Sequence, residues 1–315
     1  MSKPKTLIVA RCHDVLKKSL EQLGYDCVFK EALPYDEAIK EIHLYEGLVT
    51  SNHLPVDKKL LDAGIHLKWV GRLGSGMEII DVPYAQTKAI ACFSSPEGNA
   101  NAVAEQALGM LLALEGNIFR SYQEVKNGQW LREENRGFEI EGKTAGIIGL
   151  GNNGHLFAKK LIAMGLKVLA YDTARNNYDL SGVVGCDGLD AIYEQAEILS
   201  FHVPLNAATY HYFDVDMLSK MRQPFILLNL SRGPVVAQAA LLEGLQSGKI
   251  KGAALDVWEE EPFWKTSGSV ISQQAKALLD RPNFIGTPHI GGYTYDALYK
   301  MSRVLGEKIS RLIAG

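Results

Sequence analysis

Short apolar runs alternate with amphipathic stretches over the first third of the chain. The stretches DVLKKSLEQLG and YDEAIKEI carry apolar residues at helical spacing, which predicts helices. The runs between them are short, apolar and bounded by turn residues. They therefore predict strands of a parallel sheet covered by helices. The strand candidates are TLIVA, DCVF, GLVT, LKWVGRLGSG and AIACFSS.

The pattern changes at Pro96. From about Asn101, the stretch SSPEGNANAVAEQALGMLLALEG predicts a long helix with Ala, Leu and Met on several of its faces. A helix that is apolar most of the way round is buried, often between domains or subunits. We therefore place a domain crossing between Pro96 and Asn101.

A second alternating series follows the loop NGQWLREENRGFEIEGK and predicts a second parallel sheet, so the fold class is α/β. The final helix, from about Ala297 to Ile313, comes after this sheet is complete and can return to the first domain. The strand candidates of the second series are TAGIIGLG, KVLAYD, ILSFHVPL, FILLNLSRG, GAALDVW and NFIGTPHIGG.

Composition narrows the class of protein. The 315 residues, 47% of them hydrophobic, are enough for two domains. A net charge of -3 gives no basic field for nucleic acid or a membrane surface, and no apolar run is long enough for a signal peptide or a membrane span. Four scattered cysteines without a CxxC pair favour reduced core residues over a metal site. We expect a cytoplasmic protein with small-molecule partners and no nucleic acid, membrane or metal. The cysteines are Cys12, Cys27, Cys92 and Cys186.

The stretch GIIGLGNNG places Gly149, Gly151 and Gly154 in GxGxxG spacing. It follows an apolar strand, opens a helix and precedes Asp172 by about twenty residues, which is the context of a dinucleotide-binding turn. The first glycine permits the tight turn, the second lets the backbone approach a pyrophosphate, and the third lets helix and strand pack closely. Asp172 would accept hydrogen bonds from ribose hydroxyls and favour NAD over NADP, a preference that Arg175 softens.

Three polar residues, Arg232, Glu261 and His289, follow apolar strands. Ligands of parallel α/β sheets lie outside the carboxyl ends of the strands, so all three point to one crevice. An arginine can hold a carboxylate, a histidine can exchange a proton with a hydroxyl or carbonyl, and a carboxylate can favour the protonated ring. Taken singly, the arginine can instead form a surface ion pair, the histidine can be a core residue, and the glutamate can be solvated surface.

With these motifs in place, nearly the whole chain resembles the D-isomer-specific 2-hydroxyacid dehydrogenase family. The resemblance implies two Rossmann-like domains: a discontinuous substrate domain (1–98 and 290–315) and an NAD-binding domain (99–289). It also implies a homodimer formed largely through the long helix after Pro96. The motifs occur in family order, as GRLGSGMEIID, GNANAVAEQALGMLL, GKTAGIIGLGNNG, FHVPL, NLSRGPVV, GAALDVWEEEP and TPHIGGYT.

The same resemblance implies roles for individual residues. Arg232 would anchor the substrate carboxylate, His289 would act as acid and base, and Glu261 would be its partner. The backbone from Leu73 onward would also lie over the substrate carboxylate, at Gly74, Ser75 and Gly76. Asn152 and Asn153 would lie at the pyrophosphate, Val203 and Pro204 along the adenosine, and Asp256 at the nicotinamide carboxamide. The other implied cofactor contacts are His202, Leu230, Ser231, Gly291 and Gly292.

Within the family the resemblance is strongest to phosphoglycerate dehydrogenases. It implies that Arg72 and Arg132 hold a substrate phosphate and favours 3-phospho-D-glycerate, hence serine biosynthesis, although both arginines can instead form ion pairs. Hydroxypyruvate or glyoxylate reductase is the alternative, since it shares the same catalytic residues. Glu261 disfavours formate dehydrogenase, where an amide replaces that acid. An NAD-sensing corepressor remains a non-catalytic alternative.

The chain departs from the family pattern at several places. Asn153 stands at a usually apolar position, and Ala237 and Gln238 stand where an acidic or amide residue often begins the next helix. We expect the long segment Phe263–Asp280 to alter the rim of the cleft. Because the sequence ends at Gly315, we expect no regulatory domain and no feedback by serine.

Overall fold

A computed structural model describes residues 3–174, 180–261 and 271–314. Arg175 and residues 263–270, the first part of the long segment Phe263–Asp280, lie outside the described residues. Contacts between Cα atoms divide the chain into two compact units. The first comprises Met1–Ala100 and Tyr293–Gly315, and the second comprises Asn101–Gly292. The division falls two residues after the boundary expected at 98/99 and three residues after the one expected at 289/290.

The described residues form twelve strands, and every pairing between neighbouring strands is parallel. The strands are β1 Lys5–Ile8, β2 Asp26–Phe29, β3 Gly47–Thr50, β4 Trp69–Arg72, β5 Ala91–Ser94, β6 Thr144–Ile148, β7 Lys167–Tyr171, β8 Val183–Gly185, β9 Ile198–Phe201, β10 Phe225–Asn229, β11 Ile250–Leu255 and β12 Phe284–Gly286.

Helices connect the strands, as a parallel sheet requires. They are α1 Asp14–Gln22, α2 Tyr35–Glu41, α3 Lys58–Ala63, α4 Val82–Thr87, α5 Pro96–Glu115, α6 Ile118–Lys126, α7 Asn152–Ala163, α8 Asp190–Gln195, α9 Val215–Lys220, α10 Gln238–Ser247, α11 Gln273–Leu279 and α12 Tyr295–Ala314. Short 3-10 helices cover Ile42–Leu44 and Gly233–Val235. In the part of the chain that the structure describes, no helix is both long and apolar enough to cross a membrane.

The first unit contains a five-stranded sheet in the order β2-β1-β3-β4-β5. All four residues of β3 and of β4 are buried because helices cover both faces of these strands. Helix α12 packs against α1, β4 and β5, so the C-terminal helix belongs to this unit. The prediction that the last helix returns to the first sheet is therefore confirmed.

The second unit contains a seven-stranded sheet in the order β12-β11-β10-β9-β6-β7-β8. All five residues of β10 are buried, which explains why FILLN is apolar at nearly every position. The chain runs from β6 through β7 to β8, and then continues at β9 on the other side of β6. The strand order therefore reverses beside β6, which is where ligands bind in doubly wound sheets.

Two helices differ from their prediction. Helix α5 begins at Pro96, five residues before the predicted start, because proline is well suited to the first helical position. Helix α6 lies between the predicted long helix, whose stretch ends at Gly116, and the predicted loop, which begins at Asn127, and no element was assigned to it from the sequence. None of its residues is buried, although Ile118, Tyr122 and Val125 have the spacing of one helical face.

Candidate active site

The residues that the sequence singled out lie mostly at the carboxyl ends of six adjacent strands. Gly149 follows β6, Asp172 follows β7, and His202 follows β9. Arg232 lies three residues beyond β10, while Glu261 and His289 follow β11 and β12. The strands are parallel and adjacent, so all six residues lie at one edge of the sheet.

The glycine turn after β6 has the shape that a dinucleotide requires. Gly149 has a φ of +90°, and a Cβ atom there would lie 2.7 Å from the carbonyl oxygen of His202. A Cβ atom at Gly154 would lie 2.1 Å from the carbonyl oxygen of Gly149. At Gly151 the same atom would meet nothing within 4 Å. The outer glycines therefore serve internal packing, whereas the middle one faces space that a pyrophosphate can occupy.

Helix α7 begins directly after this turn. Gly151 is its N-cap and offers no side-chain cap, so Asn152 and Asn153 lie in the first turn, where backbone N–H groups attract anions. Both carboxylate oxygens of Asp172 accept backbone hydrogen bonds, Oδ2 from Leu150 at 2.7 Å and Oδ1 from Ala174 at 2.8 Å. These bonds fix the carboxylate beside the glycine turn. The residues fit a dinucleotide.

His202 lies at the reversal of strand order. Its Nε2 is 2.9 Å from Oγ of Ser200, and its ring lies 5.5 Å from that of Phe157. Within the described residues its buried Nδ1 has no hydrogen-bond partner. Burial lowers the pKa of His202 to about 4, so the ring is neutral at physiological pH. Val203 and Pro204 follow it at the same edge of the sheet.

Arg232 lies in a turn that is held by hydrogen bonds to the buried side-chain amide of Asn229. Oδ1 of Asn229 accepts hydrogen bonds from N and Oγ of Ser231, and its Nδ2 donates to the carbonyl oxygen of Arg232. Nη1 of Arg232 donates to the carbonyl oxygen of Ser231 at 2.7 Å. A Cβ atom at Gly233 would lie 1.9 Å from the carbonyl oxygen of Trp258, so only glycine permits this close packing. The turn therefore has a fixed backbone.

His289 and Glu261 form a direct pair. Nδ1 of His289 lies 2.5 Å from Oε1 of Glu261, and both side chains are partly exposed. His289 has a φ of +56°, which is costly for a residue other than glycine. The structure thus brings together two residues that are 28 positions apart, as the family resemblance implied.

Asp256 is 1% exposed and accepts four hydrogen bonds from the protein. Oδ1 accepts from Thr287 Oγ1 at 2.5 Å, Ile290 N at 2.9 Å and Gln106 Nε2 at 2.9 Å, while Oδ2 accepts from Gly291 N at 2.7 Å. The family resemblance implied that this carboxylate meets the nicotinamide carboxamide. Within the protein it accepts hydrogen bonds from the segment around His289. Sequence analysis missed Gln106, because a single amide in an apolar helix carries no pattern.

The remaining predicted site residues are distributed over both units. Leu230, Ser231 and Gly291 are buried, and Gly292 is half-buried. In the first unit, Arg72 is 7% exposed and donates from Nη2 to Oδ1 of Asn52 at 2.5 Å. Arg132 belongs to the second unit and is exposed.

The predicted loop of the first unit, Gly74 to Gly76, is held by two hydrogen bonds. The backbone N of Gly74 donates to Oγ of Ser95 at 3.3 Å, and Oγ of Ser75 donates to Oδ1 of Asn99 at 2.8 Å. Among the described residues, no group of three or more His, Cys, Asp or Glu side chains is placed to hold a metal ion.

The comparison with known families agrees with this geometry. Residues 108–291 match the family described as D-isomer specific 2-hydroxyacid dehydrogenase, NAD binding domain. The chain belongs to the D-isomer-specific 2-hydroxyacid dehydrogenase family. The match covers the glycine turn, Arg232, Glu261 and His289 within a domain that binds NAD.

Relatives within the family carry two different names. A hydroxypyruvate reductase of Thermotoga maritima is 36% identical over 90% of this chain and 89% of its own length. A D-3-phosphoglycerate dehydrogenase of Methanocaldococcus jannaschii is 32% identical over 99% of this chain. This chain spans only 58% of the length of that second relative.

Among solved structures of the family fold, a D-lactate dehydrogenase from Aquifex aeolicus complexed with NAD and lactic acid has a TM-score of 0.81. It is 27% identical, and the match covers 99% of this chain and 96% of that one. The similarity extends over both sheets, so the two parallel α/β units are the architecture of this family.

Proposed function

We propose that this family member is an NAD-dependent oxidoreductase that acts on a D-2-hydroxy acid and the corresponding 2-oxo acid. The observation that carries the proposal is the pair formed by His289 and Glu261 at 2.5 Å, at the edge of an NAD-binding sheet and beside the strand that leads to Arg232. Bound NAD would supply or accept the hydride at C2 of the substrate.

His289 would move the proton. Hydrogen bonding from Nδ1–H to Glu261 would select the tautomer in which Nε2 is the nitrogen that exchanges a proton with the substrate. In the reducing direction the imidazolium would give its proton to the oxygen on C2. In the oxidising direction the neutral ring would accept that proton from the hydroxyl.

Arg232 would bind the substrate carboxylate. A guanidinium can donate two parallel hydrogen bonds to a carboxylate, which fixes both the position and the rotation of the group. The turn that carries Arg232 is anchored by Asn229 and closely packed at Gly233, so the backbone under the guanidinium is rigid. A substrate held in this way would present C2 in one orientation.

Asp172 would select NAD over NADP. Its carboxylate is fixed beside the glycine turn, where the adenosine ribose of a dinucleotide lies, and it would repel a 2'-phosphate. We expect Asp172→Ser to raise the ratio of NADPH to NADH turnover about tenfold or more. An unchanged ratio would assign the preference to another group.

The substrate pair that we propose first is 3-phospho-D-glycerate and 3-phosphohydroxypyruvate, which would place the protein in serine biosynthesis. The phosphoglycerate dehydrogenase relatives support this choice, with Arg72 and Arg132 as candidate phosphate ligands. Hydroxypyruvate is the second candidate, supported by the Thermotoga relative that matches along 89% of its own length. Glyoxylate belongs to the same alternative.

The test is the oxidation of NADH, followed by absorbance, with 3-phosphohydroxypyruvate, hydroxypyruvate, glyoxylate and 2-oxoglutarate under identical conditions. A higher kcat/KM for the phosphorylated acid that falls in Arg72→Ala and Arg132→Ala would support the first candidate. A higher value for hydroxypyruvate, unchanged in both variants, would support the second. NADH binding without turnover of any acid would favour the corepressor alternative.

We also propose that the protein is a homodimer, as the family resemblance implied. Exposed apolar side chains cluster on and after α6, directly beyond the long helix expected at the interface, and large exposed apolar patches mark interaction sites. Val125 and Trp130 line one shallow depression there. Sedimentation equilibrium of Trp130→Glu should show a larger monomer fraction than wild type, with exposed Ile65→Glu as the control. The exposed side chains are Ile118, Phe119, Tyr122, Val125 and Trp130. The cytoplasmic location stays a prediction.

A further inference from the structure

We infer that Gln106 is a positioning residue for His289 and acts through the buried carboxylate of Asp256. The inference rests on the proposed role of His289 as proton donor. Gln106 lies on α5, well outside the glycine turn and the strand ends that the sequence pointed to, yet its amide reaches the segment that carries the histidine.

The contacts of the Gln106 amide define a small cluster around the buried Asp256. Its Nε2 donates to Oδ1 of Asp256 at 2.9 Å and to Oγ1 of Thr287 at 3.0 Å. Oγ1 of Thr287 in turn donates to the same Asp256 oxygen at 2.5 Å. The three side chains therefore form a closed triangle of hydrogen bonds.

Asp256 holds the His289 segment on both sides of the histidine. Thr287 precedes His289, while the N–H groups of Ile290 and Gly291 follow it and donate to the two oxygens of Asp256. A Cβ atom at Gly291 would lie 2.8 Å from Oδ2, so only a glycine allows this approach. The left-handed backbone at His289 lies between these fixed points, which offset its conformational cost.

Gln106 is the only one of the donors to this carboxylate that comes from outside the His289 segment, among the contacts of the described residues. The other three move with the segment, so they cannot fix its position relative to helix α5. A buried carboxylate that loses a donor must recruit another group or water. Without Gln106, Oδ1 of Asp256 and Oγ1 of Thr287 lose their shared donor. The backbones of both residues stay bound to neighbouring segments, so we expect their side chains to rearrange and to change the position of His289 without unfolding the segment.

The amide also matters because it stays neutral and donates at every working pH. A glutamate of equal length would place a second carboxylate next to Asp256. Two adjacent carboxylates share a proton at low pH but repel each other once both are ionised. The substitution Gln106→Glu therefore converts a pH-independent contact into a pH-dependent one.

The experiment compares Gln106→Leu, Gln106→Glu and Gln106→His, with the exposed Gln22→Leu as the matched control. We expect Gln106→Leu to lower kcat ten- to a hundredfold at all pH values, with the dissociation constant of NADH within about threefold of wild type. The kcat of Gln106→Glu should decline relative to that of Gln106→Leu as pH rises from about 5.5 to 9. Gln106→His, which keeps a donor, should recover part of the loss.

A kcat of Gln106→Leu within twofold of wild type overturns the inference. A second result would also overturn it. If kcat, NADH affinity and Tm all fall together in every variant, and the kcat of Gln106→Glu shows no added pH dependence, the substitutions have destabilised the protein in general. If wild type turns over no 2-oxo acid, the proposed function fails instead. In that case, amide hydrogen exchange at Ile290 and Gly291 tests whether Gln106 positions the His289 segment. The inference requires faster exchange at these two amides in Gln106→Leu than in wild type.

Discussion

Nδ1 of His289 lies 2.5 Å from Oε1 of Glu261, although the two residues belong to segments that follow different strands. The parallel pairing of β11 with β12 brings Leu255 opposite Gly286, so both segments leave the sheet at the same edge. The hydrogen-bonded pair of His289 and Glu261 therefore depends on strand register. The hydrogen bond in turn fixes the tautomer and the orientation of the imidazole ring.

Substitutions in this pair should separate proton transfer from cofactor binding. We expect His289→Ala to lower kcat roughly a hundred- to ten-thousandfold, because it removes the general acid and base. Glu261→Gln keeps the shape but loses the charge and should lower kcat roughly ten- to a hundredfold. NADH binding, followed by fluorescence, should be unchanged in both. Wild-type turnover in His289→Ala would assign the proton to another group.

Arg232→Lys tests the geometry of carboxylate binding. Lysine keeps the charge but cannot donate two parallel hydrogen bonds, so we expect kcat/KM for the 2-oxo acid to fall about a hundredfold. Surface Arg303→Lys is a suitable control, since Arg303 is an exposed residue that pairs with Glu307. A near-native kcat/KM in Arg232→Lys would show that the substrate carboxylate is bound elsewhere.

The glycine turn permits a matched pair of substitutions. Gly151 has a φ of −71° and open space around its Cβ position, so Gly151→Ala should leave Tm unchanged. The added methyl group would occupy the space proposed for the pyrophosphate, and the dissociation constant of NADH should rise about tenfold or more. Unaltered NADH affinity would show that the dinucleotide does not approach this glycine.

Gly154→Ala should behave in the opposite way. Its Cβ atom would lie 2.1 Å from the carbonyl oxygen of Gly149, so helix α7 must move away from the strand end. We expect a loss of about 1–3 kcal/mol in the free energy of unfolding, measured by urea denaturation. A variant as stable as wild type would contradict this close packing.

His202 should make stability depend on pH. Burial lowers its pKa to about 4 in the folded protein, whereas the unfolded chain takes up this proton near pH 6.5. The unfolded state therefore binds more protons between these values, and the contribution of His202, complete above pH 6.5, is lost as pH falls toward 4. Over this range the free energy of unfolding of wild type should fall by about 1–3 kcal/mol more than that of His202→Gln. Exposed His66→Gln should keep the wild-type slope.

Much of the second unit could be predicted from the sequence, because its signals are local. Apolar runs such as FILLN predict buried parallel strands, and the glycine spacing followed by Asp172 predicts the turn between β6 and α7. Helix α6 was missed, although the helical spacing of Ile118, Tyr122 and Val125 could have indicated it. Gln106 was missed because its partners, Asp256 and Thr287, are more than 100 positions away.

The sequence by itself therefore determined the two parallel sheets, the dinucleotide turn and the candidate residues at the strand ends, since each depends on side-chain periodicity or on local backbone preference. Only the tertiary structure decided that β11 and β12 are neighbours, that Glu261 meets His289 and not another base, and that the carboxylate of Asp256 is enclosed by protein donors. These relations depend on strand order and register, which arise from packing between distant segments and leave no local pattern in the chain.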